Sequence, residues 1–144
     1  MGAIDQTAGG DLKKMYTLNF ETAYYTARPL FQHMMEKNYG RIIFMGARPA
    51  LLADAGKSMV AYALSKSLLF KLAEFLNAQA KGHNVVAAVV VPSTIDTVPN
   101  RESMPKADPS NWVKAEQLAD ILEFICSEKG EPIRESVYKV YNNA

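Results

Sequence analysis

Only one cysteine, Cys126, occurs in the 144 residues, so an internal disulfide is excluded and the chain suits a reducing compartment. Histidine is almost as scarce. His33 and His83 stand far apart with no cysteine or acidic cluster at ligand spacing, and no metal site is expected. Neither sign of charge dominates, since 16 Lys+Arg against 15 Asp+Glu give a formal net charge of +1. That balance supplies no field to draw the chain to nucleic acid or to an acidic membrane. Long hydrophobic runs are missing too: the longest, Val85 to Val91, is too short to span a bilayer. Met1-Gly2-Ala3-Ile4-Asp5-Gln6 has neither the basic nor the apolar region of a targeting signal. The expectation is a soluble, cytoplasmic protein with no membrane or nucleic-acid partner.

What is present is globular. Apolar residues make up 49% of the chain and charged ones 22%, which rules against disorder. Residues 1–144 are one domain's worth, enough to bury roughly two thirds of the unfolded surface.

Residues 1–10 read as a loop, with Gly9-Gly10 as breaker and Thr7 or Asp11 as helix cap. From Leu12 to about Glu36 apolar residues recur at helical spacing, on more than one face. Pro29 predicts a kink inside this helix, and Asn38-Tyr39-Gly40 its end. Arg41 to Met45 is β-branched and aromatic, a strand buried on both sides. After a loop over Gly46 to Lys57, a second helix runs to about Lys81 and stops at Gly82. Asn84 to Val91 is the clearest buried strand, ended by Pro92. Pro99, Pro105 and Pro109 mark residues 93–112 as a long, lid-like loop. A third helix over Lys114 to Ser127 and a last strand over Ser136 to Tyr141 complete the order.

Strands separated by helices imply parallel pairing with right-handed crossovers. Ligands of open parallel sheets sit beyond the carboxyl ends of the strands. Those ends are Gly46 to Pro49, Pro92 to Thr97, and Asn142. Beside the first lies Tyr62-Ala63-Leu64-Ser65-Lys66, whose tyrosine and lysine fall on one helix face a turn apart. An ammonium near a phenol favours the phenolate, lowering a pKa that is ordinarily about 10 and making a proton donor usable near neutrality.

Gly40-Arg41-Ile42-Ile43-Phe44-Met45-Gly46, then Tyr62-x-x-x-Lys66, then Pro92-Ser93-Thr94-Ile95-Asp96-Thr97, with Leu18-Asn19-Phe20 upstream, resembles the short-chain dehydrogenase/reductases in order and spacing. The resemblance covers nearly the whole chain. Within the family, Asn100-Arg101, Ser103-Met104-Pro105, Ala107-Asp108 and Trp112 look most like the dihydropteridine-reductase-like branch. It implies an α/β, partial Rossmann-like fold with a three-stranded parallel sheet and helices. It implies NAD or NADP as cofactor, a small-molecule substrate, and these roles. Tyr62 is the general acid/base. Lys66 holds the nicotinamide ribose and depresses the tyrosine pKa, while Asn19 positions a water. The Pro92 loop offers backbone groups around Ile95 to the nicotinamide, and Thr97 lies near the phosphates. Family members often dimerise through two long helices, here residues 11–37 and 58–81, whose two-sided apolar character agrees.

Two departures shape the reading. Most of the family has a serine after the first of these strands, bonded to the reacting carbonyl; here Ala47 takes its position. Losing one such donor typically costs an acyl-transfer enzyme about 3–4 kcal/mol of transition-state stabilisation. Dihydropteridine reductases similarly lack the serine, so Ala47 points to that branch. The second departure is the glycine-rich phosphate turn, which is not found: no strand precedes Gly9-Gly10. The N-terminal Gly-rich βαβ units of the family fold are therefore expected to be missing, leaving a truncated catalytic half and an open edge on the Arg41–Met45 strand. The expected function is an NAD(P)-dependent oxidoreductase that needs its cofactor-binding segment to be active. The alternative is a non-catalytic relative serving as a dimerising module. Arg101, in the lid, is a candidate to meet an anionic group of substrate or cofactor, and Trp112 to anchor the lid on the third helix.

Overall fold

The computed structural model describes residues 2–134 and 136–142. Its centre is a three-stranded parallel sheet of β1 (Tyr39–Met45), β2 (Asn84–Pro92) and β5 (Val137–Val140), in the spatial order β1-β2-β5. β2 pairs with β1 from Asn84↔Tyr39 to Val90↔Met45, and with β5 from Val89↔Val137 to Pro92↔Val140. Its run Val85–Val91 is apolar without alternation because helices cover both faces, and every residue of it is buried.

Each face has its own core. On one, Ile42, Phe44, Ala87, Val89 and Val91 meet Ala27 of α2 (Thr22–Lys37) and Leu69, Ala73 and Leu76 of α4 (Val60–Gln79). On the other, Val90, with Ile43 and Met45 beside it, meets Val113 and, on α6 (Ala115–Cys126), Leu118 and Ile125. The buried ridge of α4 is Ala61, Ser65, Leu69, Ala73 and Leu76, a spacing of four and three that follows the helical period. Ser65 is the one polar residue in it.

Several local expectations are corrected. Gly9 and Gly10 do not break the chain; they open α1 (Gly9–Tyr16), where a Cβ would meet nothing within 4 Å. Neither Thr7 nor Asp11 caps it. The Thr7 hydroxyl donates instead to the carbonyls of Gly2 and Ala3. The predicted helix over residues 12–36 is interrupted well before Pro29, by a wide π-turn over Thr17–Glu21 in which the Thr22 N–H reaches the Thr17 carbonyl. Pro29 sits within a continuous α2. The proline is exposed, so water can meet the carbonyl that its missing N–H leaves unpaired. α2 ends as expected at Asn38, in the left-handed conformation at φ 51°.

The stretch over 46–57 is also built, from a 3-10 turn at Arg48–Ala50 and a short α3 (Ala53–Gly56). Residues 93–112 are no bare loop. β3 (Ile95–Asp96) pairs in parallel with β4 (Val113–Lys114), α5 (Val98–Ser103) lies between them, and a 3-10 turn covers Pro109–Asn111. No helix among the described residues is long and apolar enough to cross a membrane.

Candidate active site

All three strands of the sheet end on the same side, and the first two turns of α4 lie against that end of β1. Tyr62 and Lys66 are both half-buried there. The Lys66 Nζ donates to the Met45 carbonyl at 2.8 Å, which pins the lysine to the last residue of β1. It stands 6.0 Å from the centroid of the Tyr62 ring.

The electrostatics differ from the expectation. Burial pushes the Tyr62 phenol above its ordinary value and the Lys66 ammonium below its own. The lysine therefore does not depress the tyrosine in this chain: a carbonyl solvates the ammonium while desolvation penalises the phenolate. The phenol is a weaker acid than an exposed tyrosine.

Asn19 reaches the site because of the π-turn, which carries one residue more than an α-turn and swings the side chain out of register. Its Nδ2 donates to the Ser65 Oγ at 3.0 Å and approaches the Met15 Sδ at 3.8 Å. The Ser65 hydroxyl in turn donates to the Tyr62 carbonyl at 2.9 Å. Asn19 and Lys66 line one groove of about 490 Å³ that follows β1 from Arg41 to Met45. Beyond that groove β1 has no neighbouring strand among the described residues.

Ala47 is buried and extended, at φ −154°, just past the end of β1. The preceding Gly46 is required by packing, since a Cβ there would come within 2.7 Å of Val89 Cγ1 and 3.3 Å of the Phe70 ring. Pro92 closes β2 opposite Val140. The Ile95 carbonyl accepts from the Asn100 side-chain amide at 2.8 Å. Thr97 caps α5, its Oγ1 accepting from the Asn100 N–H at 3.4 Å.

Arg101 is not a free cation over the site. Its guanidinium forks onto Asp96, Nε to Oδ1 at 2.6 Å and the second nitrogen to Oδ2 at 2.8 Å. The hydrogen-bonded guanidinium holds the Asp96 carboxyl below the usual carboxylate range. Trp112 is buried, and its carbonyl accepts from the Asn142 side chain at 2.9 Å, tying the segment to the end of β5.

Sequence reasoning missed Ser65, Asp96 and Asn100. The signal for Ser65 was there, a hydroxyl on the buried ridge of an amphipathic helix. Asp96 and Asn100 gave none, because their partners depend on how the 93–112 segment folds back. Among the described residues no group of three His, Cys, Asp or Glu could hold a metal ion.

A family model described as short chain dehydrogenase matches residues 1–108. The 3-ketodihydrosphingosine reductase of Mus musculus is 29% identical over 96 residues, 67% of this chain and 28% of that protein. Structural likeness runs further along the chain. The TT0495 protein of Thermus thermophilus superposes with a TM-score of 0.83 at 18% identity, covering 98% of this chain and 63% of its own. An NAD(P)-dependent gluconate 5-dehydrogenase-type protein from Beutenbergia cavernae, solved with NADP bound, gives 0.86 at 18% identity, covering 99% and 60%. The chain thus spans well under a third of that curated relative and about three fifths of these neighbours.

Proposed function

This chain belongs to the short chain dehydrogenase family, and we propose that it carries the proton-handling half of an NAD(P)-dependent oxidoreductase acting on a small-molecule substrate. The observation that carries the reading is the Tyr62–Lys66 pair at the carboxyl end of β1, with the lysine anchored on the Met45 carbonyl. NAD(P)H, when bound, supplies a hydride. Tyr62 gives its proton to the substrate atom on which charge develops as the hydride arrives. Lys66 spends one of three N–H groups on Met45 and keeps two for ribose hydroxyls. Asn19 Oδ1 accepts no hydrogen bond from the described residues, which fits it to hold a water. Pro92, the Ile95 N–H and Thr97 would hold the nicotinamide and phosphate groups. No strand and glycine-rich turn precede a helix among the described residues, so the fit covers the nicotinamide half of the cofactor.

For the substrate, Ala47 favours the dihydropteridine-reductase-like branch, because a quinonoid pterin needs a hydride and a proton more than it needs a polarised carbonyl. The printed name of the mouse relative suggests ketone reduction instead, which the missing hydroxyl at position 47 disfavours. A non-catalytic dimerising module is the second reading, and one observation favours it: Leu12, Tyr16, Leu64 and Leu68 border an apolar groove of about 380 Å³ on an outer helix face. In both readings the partner is a second copy of this chain. A cytoplasmic location completes the reading, supported by the lone free Cys126.

The test is NADH and NADPH binding and oxidation with quinonoid dihydropterin and with a 3-keto lipid base, for the chain alone and joined to the nucleotide-binding half of a neighbour. Turnover with the pterin is expected, and Tyr62→Phe should remove it, by at least about 10²-fold, without changing the melting temperature. Full activity in that variant would end the role given to Tyr62.

A further inference from the structure

Ser65 is 2% exposed, the only buried polar residue among those described, and the proposed chemistry gives it no role. Its single proton is committed to the Tyr62 carbonyl at 2.9 Å. The contact with Asn19 at 3.0 Å must therefore run the other way, from the amide N–H into the serine oxygen. This proton count fixes which way the Asn19 amide points, since a flipped amide would set two acceptors against each other. It turns the NH2 to Ser65 and Met15 and leaves Oδ1 for another partner.

We propose that Ser65 is a positioning residue that couples Asn19 to the turn carrying Tyr62. The inference rests on the oxidoreductase reading and adds a residue to it. The hydroxyl works at both ends. Toward α4 it braces the carbonyl of Tyr62 within the first turn, where the helix has fewest backbone bonds to hold it. Toward the π-turn it is, among the described residues, the only side chain other than Met15 that is hydrogen-bonded to the Asn19 side chain. The π-turn and the serine explain each other: the extra residue brings Asn19 within reach, and the buried hydroxyl gives the displaced side chain a partner. Without Ser65 the Asn19 amide keeps only the weak contact with the Met15 sulfur.

Two measurements test this. In the 144-residue chain, the side-chain amide protons of Asn19, followed by NMR, should exchange at least about tenfold more slowly than those of the exposed Asn111. Ser65→Ala should erase the difference, and Ser65→Thr, which keeps the oxygen, should retain part of it. In the active protein, Ser65→Ala should lower kcat about 10- to 100-fold with little change in the KM for NADH. Combined with Asn19→Ala it should lower kcat no further than Asn19→Ala alone. Multiplicative losses in the double variant, or unchanged Asn19 exchange in Ser65→Ala, overturn the proposal. Should the wild type show no turnover with any substrate, the oxidoreductase reading fails while the exchange experiment still decides the link between Ser65 and Asn19.

Discussion

Tyr62 shows how burial and charge compete at one residue. An ammonium 6.0 Å from the ring centroid would favour the phenolate, but burial takes water away from it. Desolvation wins and the pKa rises. The sign for stability follows. The unfolded chain loses this proton near pH 10 while the folded one keeps it to higher pH, so stability falls as pH climbs from about 10 through the folded value. Ultraviolet titration should show a tyrosine component ionising above the ordinary tyrosine value, and Tyr62→Phe should delete that component and flatten the alkaline loss of melting temperature. A Tyr62 component below pH 10 in the free chain would contradict this account. Arg101 teaches the opposite lesson: a cation that looks free in the sequence is already matched, because Asp96 lies one strand end away.

At the scale of elements, the unequal lengths of the strands set a problem that α4 solves. β5 covers only Val89 to Pro92 of β2, so the earlier part of that edge has backbone groups without a strand beside them. Asn77 of α4 supplies both missing partners at Ala87, donating to its carbonyl and accepting from its N–H, each at 2.8 Å. Ala87 is 2% exposed, so no water can replace the amide. Asn77→Leu should cost about 2–4 kcal/mol, the penalty for two buried groups left unpaired, as read by urea unfolding. Asn77→Asp keeps the acceptor but opposes the Ala87 carbonyl; burial raises the pKa of such a carboxyl, so stability should recover as falling pH protonates it. A loss below about 0.5 kcal/mol in the leucine variant would show that the clamp is not needed.

At the scale of the whole molecule, the helices leave their outer faces apolar. Tyr24 on α2 is 41% exposed, and Phe75 and Leu64 on α4 60% and 50%; the groove beside Tyr16 and Leu68 is lined from α1 and α4. Faces of this kind call for a partner, and a second copy is the proposed one. Sedimentation should give a dimer, and Leu68→Glu should give a folded monomer; a wild-type monomer at micromolar concentration would remove the proposal. Much of this molecule was legible from local pattern. The unbroken run Val85–Val91 and the spacing of Tyr62 and Lys66 fix a buried strand and a shared helix face, because those signals arise within one element. The leucines Leu64 and Leu68, read as the packed side of that helix, are exposed, and Ala61, Ser65, Leu69, Ala73 and Leu76 are buried instead. What only the tertiary structure decided lies between elements: the π-turn that delivers Asn19 to Ser65, the fork of Arg101 on Asp96, and the direction of the Tyr62 pKa. Each depends on which groups meet after folding and on how much water is left around them, and neither quantity is carried by residue spacing along the chain.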